Sequence, residues 1–224
     1  MSLVEIPPGT PSDLAGRLRP VLDGMSTRFL HSVKSGEEDI IPWLPHSKVK
    51  YYTNAFIVRN GKILLGYKKR GFGAHKYNGF GGKVESGETP LQAASRELEE
   101  ESGVRPSEAS LRHIGVLFFM TEDVDAAFHI DIFKGDGYES IDQDITDTDE
   151  MRPEWFEVEH IPFDNMWEDD VFWMPLLLED KPFYGRVDFR FLEGEEQAVT
   201  VGAGKKETQQ ARWWFGEVQA EHIG

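Results

Sequence analysis

Glutamates, one arginine and two glycines recur at fixed offsets near the middle of the chain: Gly82, five residues, Glu88, seven residues, Arg96-Glu97-Leu98, one residue, Glu100-Glu101, one residue, Gly103-Val104. At ordinary residue usage this combination arises on the order of 10⁻¹⁰ times per starting position. Carboxylates so crowded repel one another, and like-charge pairs at helical spacing destabilise a helix by a few tenths of a kcal/mol each. A hard divalent cation such as Mg²⁺ offsets that repulsion, because it takes oxygen ligands and joins carboxylates to substrate phosphates. Such an ion polarises a phosphoryl oxygen and lowers the pKa of an attacking water. The chemistry within reach is hydrolysis of a pyrophosphate bond.

A helix must hold these carboxylates on one side. Thr89-Pro90-Leu91-Gln92 has the form of a helix start, with Thr89 as N-cap, Pro90 at the first helical position and Gln92 placed to complete a capping box. Gly103 stands where such a helix stops in the left-handed conformation. At about 100° per residue, Glu97, Glu100 and Glu101 fall within an arc of roughly 100°. Leu91, Ala94 and Leu98 form the neighbouring apolar stripe, and Glu99 points away. A merely solvated acidic face would need neither the two glycines nor Glu88 and Arg96 at these offsets. Arg96 is expected to brace the helix by ion pairing rather than to clamp phosphate.

Around that helix the pattern alternates. Residues 51–58 and 63–67 read as strands joined by the hairpin signal Asn60-Gly61, and a glycine-bearing loop, Arg70 to Gly73, leads towards Tyr77-Asn78-Gly79-Phe80-Gly81-Gly82. Further strands are expected near residues 114–121, 127–133, 155–158, 185–191, 198–201 and 212–218, and a second helix near 170–179 despite Pro175. Ser12-Asp13 opens a short helix carrying Leu14, Leu18, Val21 and Leu22. Strands alternating around two helices indicate an α/β fold, an α/β/α sandwich with a mixed sheet. The expected divisions are an N-terminal extension (1–48), a catalytic domain (49–193) and a C-terminal extension of added β structure (194–224).

The 224 residues contain no cysteine, which removes disulfides, thiolate metal sites and a cysteine nucleophile. No apolar run approaches membrane-spanning length, and Glu5 with Pro7-Pro8 does not resemble a secretory signal, so no membrane partner and a cytoplasmic, also nuclear, location are expected. A net charge of −16 matches the polyanionic backbone of nucleic acid poorly. A free nucleotide received by local lysines is the favoured partner, and the chain is expected to be a monomer.

The spaced pattern from Gly82 to Val104 resembles the signature of the Nudix hydrolases with no position missing. Beyond it, LLGYKKRGFGAHKYNGFGGKV (64–84), DEMRPEWF (149–156) and IPFDNMWEDDVFWMPLLL (161–178) are similar to the eukaryotic branch that hydrolyses oxidised purine nucleoside triphosphates of the 8-oxo-dGTP and 2-hydroxy-dATP type. The resemblance implies the Nudix fold and a Mg²⁺ site, with Mn²⁺ able to substitute, formed by Glu97, Glu100, Glu101, Glu150 and the carbonyl of Gly81. Glu100 and Glu101 are the candidates for catalytic base, a role the sequence does not divide between them. Implied substrate contacts are Thr53, Lys68, Asn78, Phe80, Gly81, Gly82, Lys83 and Trp167 to Asp170, with Phe72 and Phe119 walling the base. At Glu168 only the backbone is expected to contribute. Another nucleoside diphosphate derivative (ADP-ribose or a dinucleoside polyphosphate) is the alternative substrate, and a non-catalytic nucleotide-binding module the alternative role.

The residue chemistry agrees with a purine site. Trp167 can stack on a base, and the Asn78 amide offers a donor and an acceptor to its edge. Two carboxylates at Asp169-Asp170 facing one edge cannot both ionise cheaply, so the pair should titrate together, although the helix N-terminus favours charge. A proton exchanged between them would let one pocket take an oxidised guanine or an oxidised adenine.

Overall fold

The computed structural model describes residues 6–25, 41–106, 108–122, 124–136, 145–191 and 208–219. A four-residue helix α1 (Ser12–Ala15) is followed by a strand β1 (Leu18–Met25). Leu18, Val21 and Leu22 therefore lie on a strand and not on the expected helix. Gly16 closes α1 after one turn, and Pro20 suits the outermost strand of a sheet, where no ladder bond is demanded of it on the open side.

The remaining strands are β2 (Val49–Arg59), β3 (Lys62–Lys68), β4 (Tyr77–Asn78), β5 (Leu111–Thr121), β6 (Ala127–Gly135), β7 (Met151–Glu157), β8 (Phe183–Phe191) and β9 (Thr208–Val218). They join in one nine-stranded sheet of order β1-β9-β8-β5-β6-β2-β3-β4, with β7 also paired to β3. β2–β6 and β5–β8 are parallel and the other pairs antiparallel, which makes the sheet mixed. The tail strand β9 lies between β1 and β8, so both chain ends extend one side of the sheet. The expected strand at 198–201 lies outside the described residues.

Two long helices cover opposite faces. α2 (Pro90–Ser102) begins at a capping box: Thr89 Oγ1 accepts from the Gln92 N–H and Gln92 Oε1 from the Thr89 N–H. It ends at Gly103, φ 78°. Its Leu91, Ala94 and Leu98 pack on Ala55 and Ile57 of β2 and Leu64 of β3. α3 (Asp170–Leu178) sends Trp173, Met174 and Leu177 against Phe56, Ile63 and Leu65, the alternate residues of the same strands. Pro175 removes one helical hydrogen bond, and burial of Trp173, Met174, Leu176 and Leu177 on either side of it keeps the segment helical. Among the described residues no helix is long and apolar enough to cross a membrane.

The N-terminal segment covers the part of the α2 face beyond that helix, where Leu14, Leu18 and Trp43 pack on Val116, Phe118, Tyr184 and Trp214. Arg186 of β8, fully buried, donates to the carbonyls of Pro8 and Leu44 and pairs with buried Asp188 at 2.9 Å. Removing either partner would strand a buried charge, so this pair fixes where the extension lies. That place is the sheet face opposite α3.

Candidate active site

The segment from Tyr77 to Lys83 runs within the sheet, paired first with β3 and then with β2. Phe80 exchanges both backbone hydrogen bonds with Ala55, and the Thr53 N–H donates to the Gly82 carbonyl at 2.9 Å. Asn78 is thereby held on the α3 side and Gly81-Gly82 against α2. Neither glycine leaves room for a side chain. A Cβ at Gly81 would overlap the Thr53 carbonyl and come within 2.7 Å of Asn54 Cα, and one at Gly82 would overlap the Glu97 carboxylate.

At the α2 end the carboxylates gather around two cations. Glu101 is 5% exposed; its Oε2 accepts from the Gly81 N–H at 2.8 Å and its Oε1 lies 3.5 Å from Lys68 Nζ. Lys68 also pairs with Glu150 at 3.1 Å. Burial pushes the Glu101 carboxyl up to about 7, opposed by Lys68 and the Gly81 N–H and reinforced by Glu97 and Glu150. Burial raises Glu97 as well, against the pull of Arg96. Arg96 grips Glu88 with two nitrogens at 2.7 and 3.0 Å and reaches Glu97 at 2.8 Å, Glu100 at 3.2 Å and the Lys83 carbonyl at 3.2 Å. That fork holds the Glu88 carboxyl down at about 2. Arg96 is committed to protein groups, as a brace.

As these side chains stand, no three acidic or histidine groups among the described residues converge on one point: Glu97 and Glu100 turn to Arg96, Glu101 and Glu150 to Lys68. The donor set nevertheless fits a hard divalent cation. It is all oxygen, and burial keeps the Glu101 and Glu97 carboxyls raised even beside Lys68 and Arg96.

The other end lies at the start of α3. Trp167 stacks against Phe72, centroids 5.1 Å apart and planes 26° apart, and meets the edge of Phe189 at 6.4 Å, which in turn contacts Phe119 at 5.7 Å. Phe72 is 76% exposed, so the stack is the outer wall of the site. Lys76 Nζ sits 5.4 Å over the Trp167 ring and donates to the Met166 carbonyl. Asp169 and Asp170 are both buried. Asp169 accepts from Trp173 Nε1 at 3.1 Å through one oxygen, and its other oxygen has no partner; Asp170 accepts the Trp167 N–H at 3.1 Å. Burial raises both carboxyls, and the Asp169 charge raises Asp170 further. At a cap position that makes no side-chain capping bond, burial and mutual repulsion outweigh the helix N-terminus.

Two sequence expectations change. Phe80 is fully buried on the α2 side with both backbone groups used, so it serves the core and the strand bridge and offers substrate nothing. The Asn78 oxygen accepts from Asn54 Nδ2 and the Gly79 N–H, both at 2.8 Å; it is spent, and Asn78 has only amide N–H left to give. The Glu168 side chain, from which no contribution to substrate is expected, is used within the protein and accepts the Gln210 N–H at 3.4 Å. Thr53 is buried with an unpartnered hydroxyl, Lys83 is exposed, and Lys68 lies among the acidic groups at the α2 end. The sequence reading missed Asn54, Phe189 and Gln210. Asn54 had a signal, a polar residue interrupting an apolar strand on the side that faces α3.

The sheet, the two flanking helices and the glutamate-bearing α2 define a hydrolase fold built around an acidic helix. The profile of the NUDIX domain matches residues 50–177, over half of the chain, and the chain belongs to that family. It is a Nudix hydrolase, of a family that uses a divalent metal. It is 47% identical over 141 residues to the oxidized purine nucleoside triphosphate hydrolase of Danio rerio, covering 63% of this chain and 87% of that one. To the protein of the same name in Mus musculus it is 42% identical over 144 residues, covering 64% and 89%. The crystal structure of a Mutator MutT protein from Bacillus halodurans superposes with a TM-score of 0.54 at 22% identity, covering 64% of this chain and 91% of that one, a likeness of fold.

Proposed function

We propose that the chain hydrolyses oxidised purine nucleoside triphosphates to monophosphate and pyrophosphate, using Mg²⁺, for which Mn²⁺ can substitute. The observation that carries the base assignment is the buried pair Asp169-Asp170 with an unpartnered oxygen at the start of α3. A protonated carboxyl beside an ionised one donates to a keto oxygen and accepts from a ring N–H, the two groups that oxidation adds together to a purine. The names of the zebrafish and mouse relatives support the same substrate class.

Trp167, backed by Phe72, offers the base a flat apolar surface, and the Asn78 amide donates to its edge. Glu97, Glu100, Glu101, Glu150 and the Gly81 carbonyl would hold the divalent ion, which when bound supplies charge neutralisation at the phosphates and acidifies water. Glu101 or Glu100 takes the proton of the attacking water. Lys68, already among the carboxylates, offsets the phosphate charge. Arg96 keeps Glu97 and Glu100 aligned. The net charge of −16 supports a free nucleotide over a polymer. Product analysis by ³¹P NMR tests the cleavage position: 8-oxo-dGTP should give monophosphate and pyrophosphate. Diphosphate with orthophosphate would contradict it.

A further inference from the structure

The tail strand β9 carries a bulge. Arg212 pairs with Asp188, but the next pair is Gln210 with Phe189, leaving Ala211 extra. Side chains of directly opposed residues share a face, so the extra residue turns Gln210 onto the face of Phe189. That is the α3 face, where Phe189 packs with Trp173 and contacts both Trp167 and Phe119. Arg212, two positions on, lies on the other face, over Trp43 at 4.1 Å. With an unbroken alternation Gln210 would have faced away from the base pocket.

Gln210 is 6% exposed, and its Oε1 has no hydrogen-bond partner. Its backbone N–H is held by Glu168, the residue preceding Asp169. A buried amide oxygen without a donor costs stability, and a water or a ligand commonly completes it. It stands beside the Trp167–Phe189–Phe119 aromatics, on the face that carries the unpartnered oxygen of Asp169. We infer that Gln210 is a specificity-determining residue, whose Oε1 accepts a hydrogen bond from the exocyclic amino group of the purine. This rests on the proposed substrate class. The aspartate pair matches a keto oxygen and a ring N–H, and Asn78 has only donors left. Two unpartnered amide acceptors remain, Asn54 Oδ1 behind Asn78 and Gln210 Oε1 beside the aromatic wall, and the amine is the group that Gln210 suits. A strand outside the family's matched segment, residues 50–177, thus completes the pocket.

The test compares wild type with Gln210→Leu, which keeps the volume and removes the amide, on 8-oxo-dGTP and on 8-oxo-dITP, which lacks the amine. Wild type should favour the amine-bearing substrate about tenfold in kcat/KM, and Gln210→Leu should abolish that ratio by losing about tenfold on 8-oxo-dGTP alone. Metal-free binding of 8-oxo-dGMP, followed by calorimetry, should weaken by a similar factor. The melting temperature should stay level or rise, since the change deletes an unpartnered buried group. Equal losses on both substrates, a lower melting temperature, or an unchanged ratio would overturn the inference. Failure of the substrate class would show separately, as a wild-type enzyme indifferent to base oxidation, and would remove this inference with it.

Discussion

Gly81 and Gly82 allow one substitution to be made at adjacent positions with opposite expected consequences. A methyl at Gly81 meets backbone, the Thr53 carbonyl and the Asn54 Cα at 2.7 Å, well inside the 3.4 Å where ordinary contact begins. Relief requires the loop to leave β2, which breaks the Thr53–Gly82 bond and both Ala55–Phe80 bonds. Overpacking costs typically 1–3 kcal/mol, and an obstacle made of backbone in a central strand places Gly81→Ala near the top, about 3 kcal/mol. For a chain of this size that lowers Tm by about 6–12 °C. A methyl at Gly82 meets only the end of the Glu97 side chain, which can swing away. Gly82→Ala should stay within about 1 kcal/mol of wild type, yet lose on the order of 100-fold in kcat, because displacing Glu97, the proposed metal ligand, by about 1 Å is enough. Calorimetric melting in EDTA reads the first effect and pyrophosphate release the second. A Gly81→Ala protein melting within 2 °C of wild type, or a fully active Gly82→Ala protein, would refute the role given to this segment.

The exposed half of the Phe72–Trp167 stack should matter for binding far more than for folding. Phe72→Ala is expected to move stability by no more than about 1 kcal/mol and to raise KM about five- to tenfold with kcat kept; a fall in kcat at constant KM would contradict a base-walling role. The aspartate pair sets a pH dependence of stability. Burial raises both folded pKa values, so the stabilisation of the protonated form is complete below the ordinary value of about 3.9 and is lost as pH rises through the folded values. Asp169→Asn mimics the protonated acid and retains an acceptor for Trp173. Its Tm relative to wild type should therefore improve by a few degrees between pH 4 and pH 8, and a pH-independent difference would count against the buried pair.

The helix that carries the carboxylates was legible because each of its determinants is local: a capping box, a proline at the first position, a left-handed glycine at the end and an apolar stripe between. The strand pattern was legible for the same reason, through short apolar runs on β2 and β3 joined by the Asn60-Gly61 turn. What failed depends on contacts across the sheet. The Asn78 oxygen is consumed by Asn54, a residue 24 positions earlier on a neighbouring strand, and no spacing rule pairs them. The burial of Phe80 follows from its pairing with Ala55, which turns its ring under α2. The N-terminal segment misled because Leu18, Val21 and Leu22 suit a helix face as well as a strand, and only the partner β9, near the other end of the chain, decides. Gln210 was invisible because one bulge residue reverses its face.

The most direct test is the ratio of kcat/KM for 8-oxo-dGTP over dGTP, with 2-hydroxy-dATP and ADP-ribose alongside, in Mg²⁺ and with Glu101→Gln as control. A strong preference for the oxidised purines, abolished in the control, is the predicted result. A ratio near one, or a preference for ADP-ribose, would leave the Nudix fold and its acidic helix in place and contradict the assignment of the Asp169-Asp170 pocket to oxidised bases.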